Sequence, residues 1–229
     1  LYLKGKGCGA GYINHCLTWL NRLIYVAVDR EIIRCNPLAD VPYEKKPDYK
    51  LKHISRAELQ WIMEHPMSDR LQELTRRAFI FSAFTGLSYV DMQRLRPSNI
   101  GVTVDSRYYI RINRKKTDVE SFIPLHPVAE QILALYNTTD ESRPIFPLPN
   151  RNMIWYCIHE IGIMAGVKEN LSYHDSRHTF GTLMLSAGIP IESISKMMGH
   201  TSIRTTQIYA RVTDDKISED MDRLMEKRN

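Results

Sequence analysis

"SYHDSRHTFGTL", residues 172 to 183, sets His174 and Arg177 three residues apart, with His178 one further, where a helical pattern begins. Three readings compete for it. Two histidines one helical turn apart approach the H-E-x-x-H zinc pattern, but Asp175 replaces the glutamate and Arg177 would project a guanidinium toward the proposed dication. Charge argues against the metal. The second reading is an ordinary helix start, with Ser172 as N-cap and Asp175 suited to the first turn. The third is an anion clamp: a helix N-terminus offers free N–H groups, and Arg177 adds a planar bidentate donor matched to phosphate oxygens, shared with His174. On this reading Phe180, Leu183, Met184 and Ala187 anchor the helix and leave its polar end exposed.

The rest of the chain bounds these choices. Its 229 residues and 43% hydrophobic content suffice for one large domain and a small one. It starts at Leu1 and lacks the order of a signal peptide, so the expectation is an excerpt of a longer cytosolic protein. No apolar run approaches the roughly 18 residues that a membrane helix needs. The four cysteines (Cys8, Cys16, Cys35, Cys157) lie too far apart for a CxxC metal site and read as free thiols. A net charge of +5 is compatible with a polyanionic partner.

Periodicity divides the chain near residue 50. Residues 11–34 place Ile13, Leu17, Leu20, Leu23, Ile24 and Val28 on one helical stripe, which stops at the proline-bearing linker "CNPLADVPYEKKPDYK". A second unit opens at "ISRAELQWIM", where Ser55 and Glu58 have capping-box spacing. Helices are expected at about 55–65, 69–84, 89–95, 126–137, 150–165, 174–187, 191–198, 203–211 and 215–227, and two strands within 107–125. The fold class is therefore mainly α with a small antiparallel β-sheet. "PIESISKMMGH" and "SIRTTQIYARV" can pass for a helix-turn-helix, although Ile191, Ile194 and Met198 read better as core.

At longer range the pattern becomes specific. "HDSRHTFGTLMLSAGIPIESISKMMGHTSIRTTQIYARV" closely resembles box II of the tyrosine recombinases, the phage-integrase-like enzymes, with His174, Arg177, His200 and Tyr209 at the family spacing. "FTGLSYVDMQRLRPSNI" resembles the box I region and "RKKTDVESFIPL" the strand-turn-strand lysine. The likeness implies a catalytic integrase domain over 54–229 with a C-terminal tail that docks on a neighbouring protomer. It also implies that 1–45 ends a helical core-binding domain, with 46–53 as linker.

The resemblance carries a chemistry. Tyr209 attacks a DNA phosphate and leaves a 3′-phosphotyrosyl link, so the phosphodiester energy is kept and no cofactor is required. His174 takes the phenol proton, Lys116 protonates the leaving 5′-oxygen, and Arg177 and His200 hold the non-bridging oxygens. The implied partners are double-stranded attachment sites, a homo-tetramer on that DNA, and an accessory DNA-bending protein of host or element, with no membrane. The implied location is the cytoplasm, with the nucleoid.

One position departs from the pattern T-G-x-R-x-x-E. "TGLSYVD" has Ser88 where the arginine belongs and Asp91 where the glutamate belongs, a variant that integrases of some conjugative transposons resemble. Strand parity groups Tyr108, Ile110, Ile112, Arg114 and Lys116, which nominates Arg114, projecting beside Lys116 toward the substrate, as the replacement. Arg94, Arg96 and Arg111 stand next in line. Two alternatives remain: a DNA-binding regulator or accessory factor on the same fold that has lost cleavage, and a type IB topoisomerase sharing the nucleophile.

Overall fold

The computed structural model describes residues 2–45, 51–136, 138–168 and 170–210. The expected helix at 215–227, and with it the docking tail, lies outside the described residues. The chain divides into two compact units, 1–50 and 51–229.

The first unit consists of α1 (Tyr2–Gly5), α2 (Ala10–Asp29) and an irregular return segment. Asn14 is the buried residue of α2, because its amide bonds both backbone groups of Glu44, donating to the carbonyl at 2.8 Å and accepting the N–H at 2.7 Å. The expected stripe is only partly covered: Ile13, Leu17, Ile24 and Val28 are half-buried, whereas Leu20 and Leu23 are exposed.

The second unit is mostly helical around one small sheet: α3 (Arg56–Glu64), α4 (Arg70–Thr85), α5 (Tyr89–Met92), β1 (Ile100–Val102), β2 (Tyr108–Asn113), β3 (Glu120–Pro124), α6 (Pro127–Leu133), α7 (Arg151–Met164), α8 (Tyr173–Ser186) and α9 (Ile191–Met198). Ser55 and Glu58 form the expected capping box on α3. The antiparallel sheet runs β1-β2-β3, with Ile110 opposite both Ile100 and Ile123. Strand β1 was not foreseen, because three residues are too few to display an alternation.

Helix α4 is the hub. Ala78, Phe79, Phe81 and Ala83 are fully buried, and the polar Ser82 joins α8 through Ser176 Oγ at 2.7 Å. Phe81 meets Phe146 with ring centroids 4.9 Å apart, and the Tyr173 hydroxyl donates to Ala78 O at 2.9 Å. Its start is tied by Glu73, whose carboxylate accepts from Arg76 and Arg77 at 2.6–2.8 Å and is held down to about 2 against the cost of burial.

Two expectations fail here for the same reason. The start of α8, expected to be exposed, is the buried part: Asp175 through Gly181 are covered, while Ala187 is exposed. Of the segment 203–211, expected as a helix, the described residues 203–210 are not one helix. They form 3₁₀ turns at Ile203–Thr205 and Gln207–Tyr209 that meet at Thr206, a fully buried residue whose hydroxyl bonds His200. Tertiary hydrogen bonding decides both, covering the polar start of the intact helix α8 and breaking the helical period after Ser202, so the second helix of the apparent helix-turn-helix is not formed among the described residues. Ile194 and Met198 are core, as their spacing suggested.

Helix α4 ends at Gly86, in the left-handed region at φ 68°, where an added Cβ would lie 2.6 Å from the Phe180 ring. Gly86→Ala therefore combines a backbone penalty with a clash against a buried ring, and should lower unfolding free energy by about 2–4 kcal/mol. A denaturant titration checks this; an unchanged midpoint would mean that Phe180 yields freely.

Candidate active site

The site is built where two helices end. Helix α9 terminates in a glycine-closed turn: Gly199 adopts φ 62°, its N–H bonds Lys196 O, and the His200 N–H bonds Ser195 O at 3.1 Å. That geometry positions His200 and leaves the Met198 carbonyl without a helical partner. Gly86 does the same for α4, its N–H closing on Ser82 O at 2.8 Å while its own carbonyl points away. Helix C-termini carry partial negative charge and unmet acceptors, so cations are stabilised there.

Two arginines occupy that position. Arg114 donates to Met198 O from Nε at 2.9 Å and from Nη2 at 2.8 Å, and also to Gly86 O at 2.8 Å. Arg177 donates to Met198 O at 2.7 Å and makes a short bond to Gly86 O. Asp91 balances them: one oxygen accepts from Arg114 at 3.1 Å and from Ser88 Oγ at 2.6 Å, and the other accepts from Lys115 N at 2.9 Å. Arg114 is thus 3% exposed, turned inward on the Ile110 and Ile112 side of its strand. The expectation that it projects outward beside Lys116 is corrected. The alternation runs on through Arg114 but its Ile110 side faces the interior, and residues 115–117 form a turn that takes Lys116 out of that register. Arg94, Arg96 and Arg111 are exposed; Arg96 donates to Glu141 O and Arg111 faces Glu120.

Arg177 continues to the histidines. Its Nη2 donates to His200 Nε2 at 2.9 Å, which makes that nitrogen an acceptor and leaves Nδ1–H to donate to Thr206 Oγ1 at 2.8 Å. His200 is therefore neutral. Burial, then Arg177, push it down to about 4, and burial followed by His174 and Arg177 lower His178 equally. The Tyr209 hydroxyl lies 3.1 Å from His178 Nδ1, and the ring covers Gly181, where an added Cβ would approach it to 2.7 Å. Burial also lowers Arg177, and the nearby Tyr209 and Asp91 oppose that shift.

Beside Arg177 opens a cavity of about 580 Å³, lined by Ser88, Lys115, Lys116, Arg151, His174 and Arg177 over an apolar wall that includes Tyr89, Trp155 and Tyr173. Of the residues expected at the site, Arg177 and His200 bond to one another, the Tyr209 hydroxyl meets His178, the residue after Arg177 on the same helix, and His174 and Lys116 line the cavity beside Arg177. The cation excess suits a phosphate. Sequence reasoning left four participants without a part: Lys115, Arg151, Thr206 and the Asp91 bridge. Arg151 carries no motif; Asp91 was noticed only as a departure.

Comparisons with known proteins agree with this architecture. The phage integrase family model matches residues 52–216, and the chain belongs to that family, the tyrosine recombinases. Tyrosine recombinase XerC of Haemophilus influenzae (strain PittEE) is 24% identical over 209 residues, covering 89% of this chain and 71% of the relative. Tyrosine recombinase XerA of Pyrococcus furiosus is 28% identical over 189 residues, covering 78% of this chain and 64% of the relative. The Tn1549 transposon integrase in complex with a circular intermediate DNA shares the fold, with TM-score 0.73 and 20% identity over 97% of this chain and 82% of that one.

Two predictions follow from the network. Arg114→Ala removes the cation from the buried Asp91 carboxylate and one donor from each of the two carbonyls, so it should destabilise by about 3–5 kcal/mol in denaturant unfolding. Adding Ser88→Arg, next to Asp91, should recover part of that loss, and no recovery would deny the proximity its meaning. For pH, His178 and His200 take up protons near 6.5 when unfolded but near 4 when folded. The unfolded state binds more protons in that window, so the stabilising term is present above 6.5 and is lost as pH falls toward 4. His200→Asn should flatten the fall of melting temperature across that range.

Proposed function

We propose that this chain cuts and rejoins DNA at specific sites as the integrase of a mobile element, through a 3′-phosphotyrosyl intermediate at Tyr209. The observation that carries the reading is the convergence of the Tyr209 phenol, the Arg177–His200 pair and the Lys116-lined cavity from separate segments. The relatives named as recombinases and the Tn1549 neighbour in complex with DNA support it.

In the proposed reaction the scissile phosphate enters the cavity and meets Arg177, whose guanidinium is held in place by Gly86 O and Met198 O. Such prior orientation lowers the reorganisation cost as charge builds on the phosphate oxygens. Tyr209 Oη bonds to phosphorus while the bond to the 5′-oxygen breaks. His174 takes the phenol proton and the Lys116 ammonium supplies one to the leaving oxygen. His200 accepts from Arg177 in the free protein, so it must gain a proton or release that bond to donate to a phosphate oxygen. Arg114 stands in for the arginine absent at Ser88 by doubling the positive charge behind Arg177. The first unit is the end of the core-binding domain, and the working form is a tetramer on attachment-site DNA, aided by a DNA-bending accessory protein, in the cytoplasm.

Among the described residues no helix is long and apolar enough to cross a membrane. The rival of a non-cleaving regulator rests on Ser88 alone, whose loss of charge Arg114 offsets within the same network. Incubation with a nicked suicide substrate decides between them. The wild-type protein should yield a covalent DNA adduct resistant to denaturation, Tyr209→Phe none at unchanged DNA affinity, and Arg177→Ala at least about 100-fold less. An adduct that survives Tyr209→Phe would overturn the assignment.

A further inference from the structure

Arg177 and His178 are consecutive residues of α8, and each grips something different. Arg177 is committed to the two helix-end carbonyls and His200, on the side that lines the cavity. His178, about 100° further round the helix, faces the 3₁₀ segment, where its Nδ1 lies 3.1 Å from the Tyr209 hydroxyl and its ring centroid 5.8 Å from that of Tyr209. Nothing in the proposed reaction gives His178 a part.

We infer that His178 is the positioning residue for the nucleophile: in the free protein its Nδ1 accepts the Tyr209 O–H and holds the phenol in place relative to the phosphate that Arg177 binds, and the phenol leaves that bond when its proton passes to His174. The inference rests on the reading of Tyr209 as the attacking group.

Three observations converge on it. The phenol is 8% exposed, so its hydroxyl needs a protein partner, and His178 supplies one. The ring is seated over Gly181, one turn along the same helix, where a Cβ would stand 2.7 Å from it; the seat exists because that residue lacks a side chain. His178 in turn is braced edge-to-face by His174, with centroids 4.5 Å apart and planes at 76°. One rigid helix thus carries the phosphate clamp at 177, the nucleophile's acceptor at 178 and its seat at 181. The 3₁₀ segment delivers Tyr209 to them through the Thr206–His200 bond. Holding two reacting groups on one element removes orientational freedom that would otherwise be lost at the barrier. Burial, followed by the neighbouring His174, Arg177 and His53, disfavours a second proton on His178, so a ring-nitrogen lone pair stays available to the phenol.

The test uses His178→Leu, which removes the acceptor, and His178→Asn, whose amide oxygen can stand near the place of Nδ1. With the suicide substrate, His178→Leu should slow adduct formation by about 10–100-fold at unchanged DNA affinity, and His178→Asn should return most of the rate. A purely structural ring would give the opposite order, since leucine packs better than asparagine in a buried position. A leucine variant that cleaves at the wild-type rate, or an asparagine variant as slow as leucine, would overturn the proposal. A second readout does not depend on cleavage. With 3-fluorotyrosine at position 209, the ¹⁹F resonance should move in His178→Leu and return toward wild type in His178→Asn. No movement in either variant would show that the contact is not made. If Tyr209→Phe still formed an adduct, the reading of the nucleophile would fail, while the ¹⁹F comparison would still report on the His178 contact.

Discussion

Two helix-end carbonyls, Gly86 O and Met198 O, are the constraint on which the site depends. Each is left open because its helix closes through a left-handed glycine, and both open onto the same small volume. An unmet carbonyl in that interior is costly, and a pair of them facing one point favours a cation strongly. Arg114 and Arg177 answer that need together. Two guanidiniums would repel one another at such proximity; the carbonyls and the Asp91 carboxylate make the pairing tolerable. Gly199 cannot take a side chain without striking Arg114 and Ser121, so the buried arginine fits only over a glycine turn.

From that lock the remaining geometry follows. Arg177, immobilised on backbone, points its second Nη2–H at His200, which fixes the tautomer of His200 and, through Nδ1–H, the place of Thr206. Thr206 interrupts what would otherwise be a helix, and the interruption turns Tyr209 back onto α8. The histidines remain neutral because they are buried beside arginine. The free protein is therefore arranged with its positive charge in the arginines and lysines around the cavity and its acceptors beside the phenol.

Ser88 and Asp91 meet, the hydroxyl donating to the carboxylate, and the cation that Asp91 holds is Arg114, at the end of the hairpin's second strand. A carboxylate at 91 without that arginine would be a buried, uncompensated charge. Arg114 thus has a structural task that precedes any catalytic one.

The sequence by itself determined the class of fold and the family, and it singled out residues that the fold brings near one another. Periods and caps located most helices of the second unit because α3, α4, α7, α8 and α9 carry their start and stop signals locally, in Ser55, Asp69, Asn150, Ser172 and Gly199. The spacing of His174, Arg177, His200 and Tyr209 was legible because unlike residue types in fixed order are improbable by chance. Only the tertiary structure decided which way Arg114 turns, that 203–209 breaks into two short turns, that the polar start of α8 is buried, and that His178 meets the phenol. Most of these depend on partners more than 20 residues away: Met198 is 84 residues from Arg114, and Tyr209 is 31 from His178, whereas Thr206 is held by His200, 6 residues before it. Local patterns state what a segment prefers; they cannot state which distant carbonyl or hydroxyl will complete a buried polar group, and here those completions outweighed the preferences.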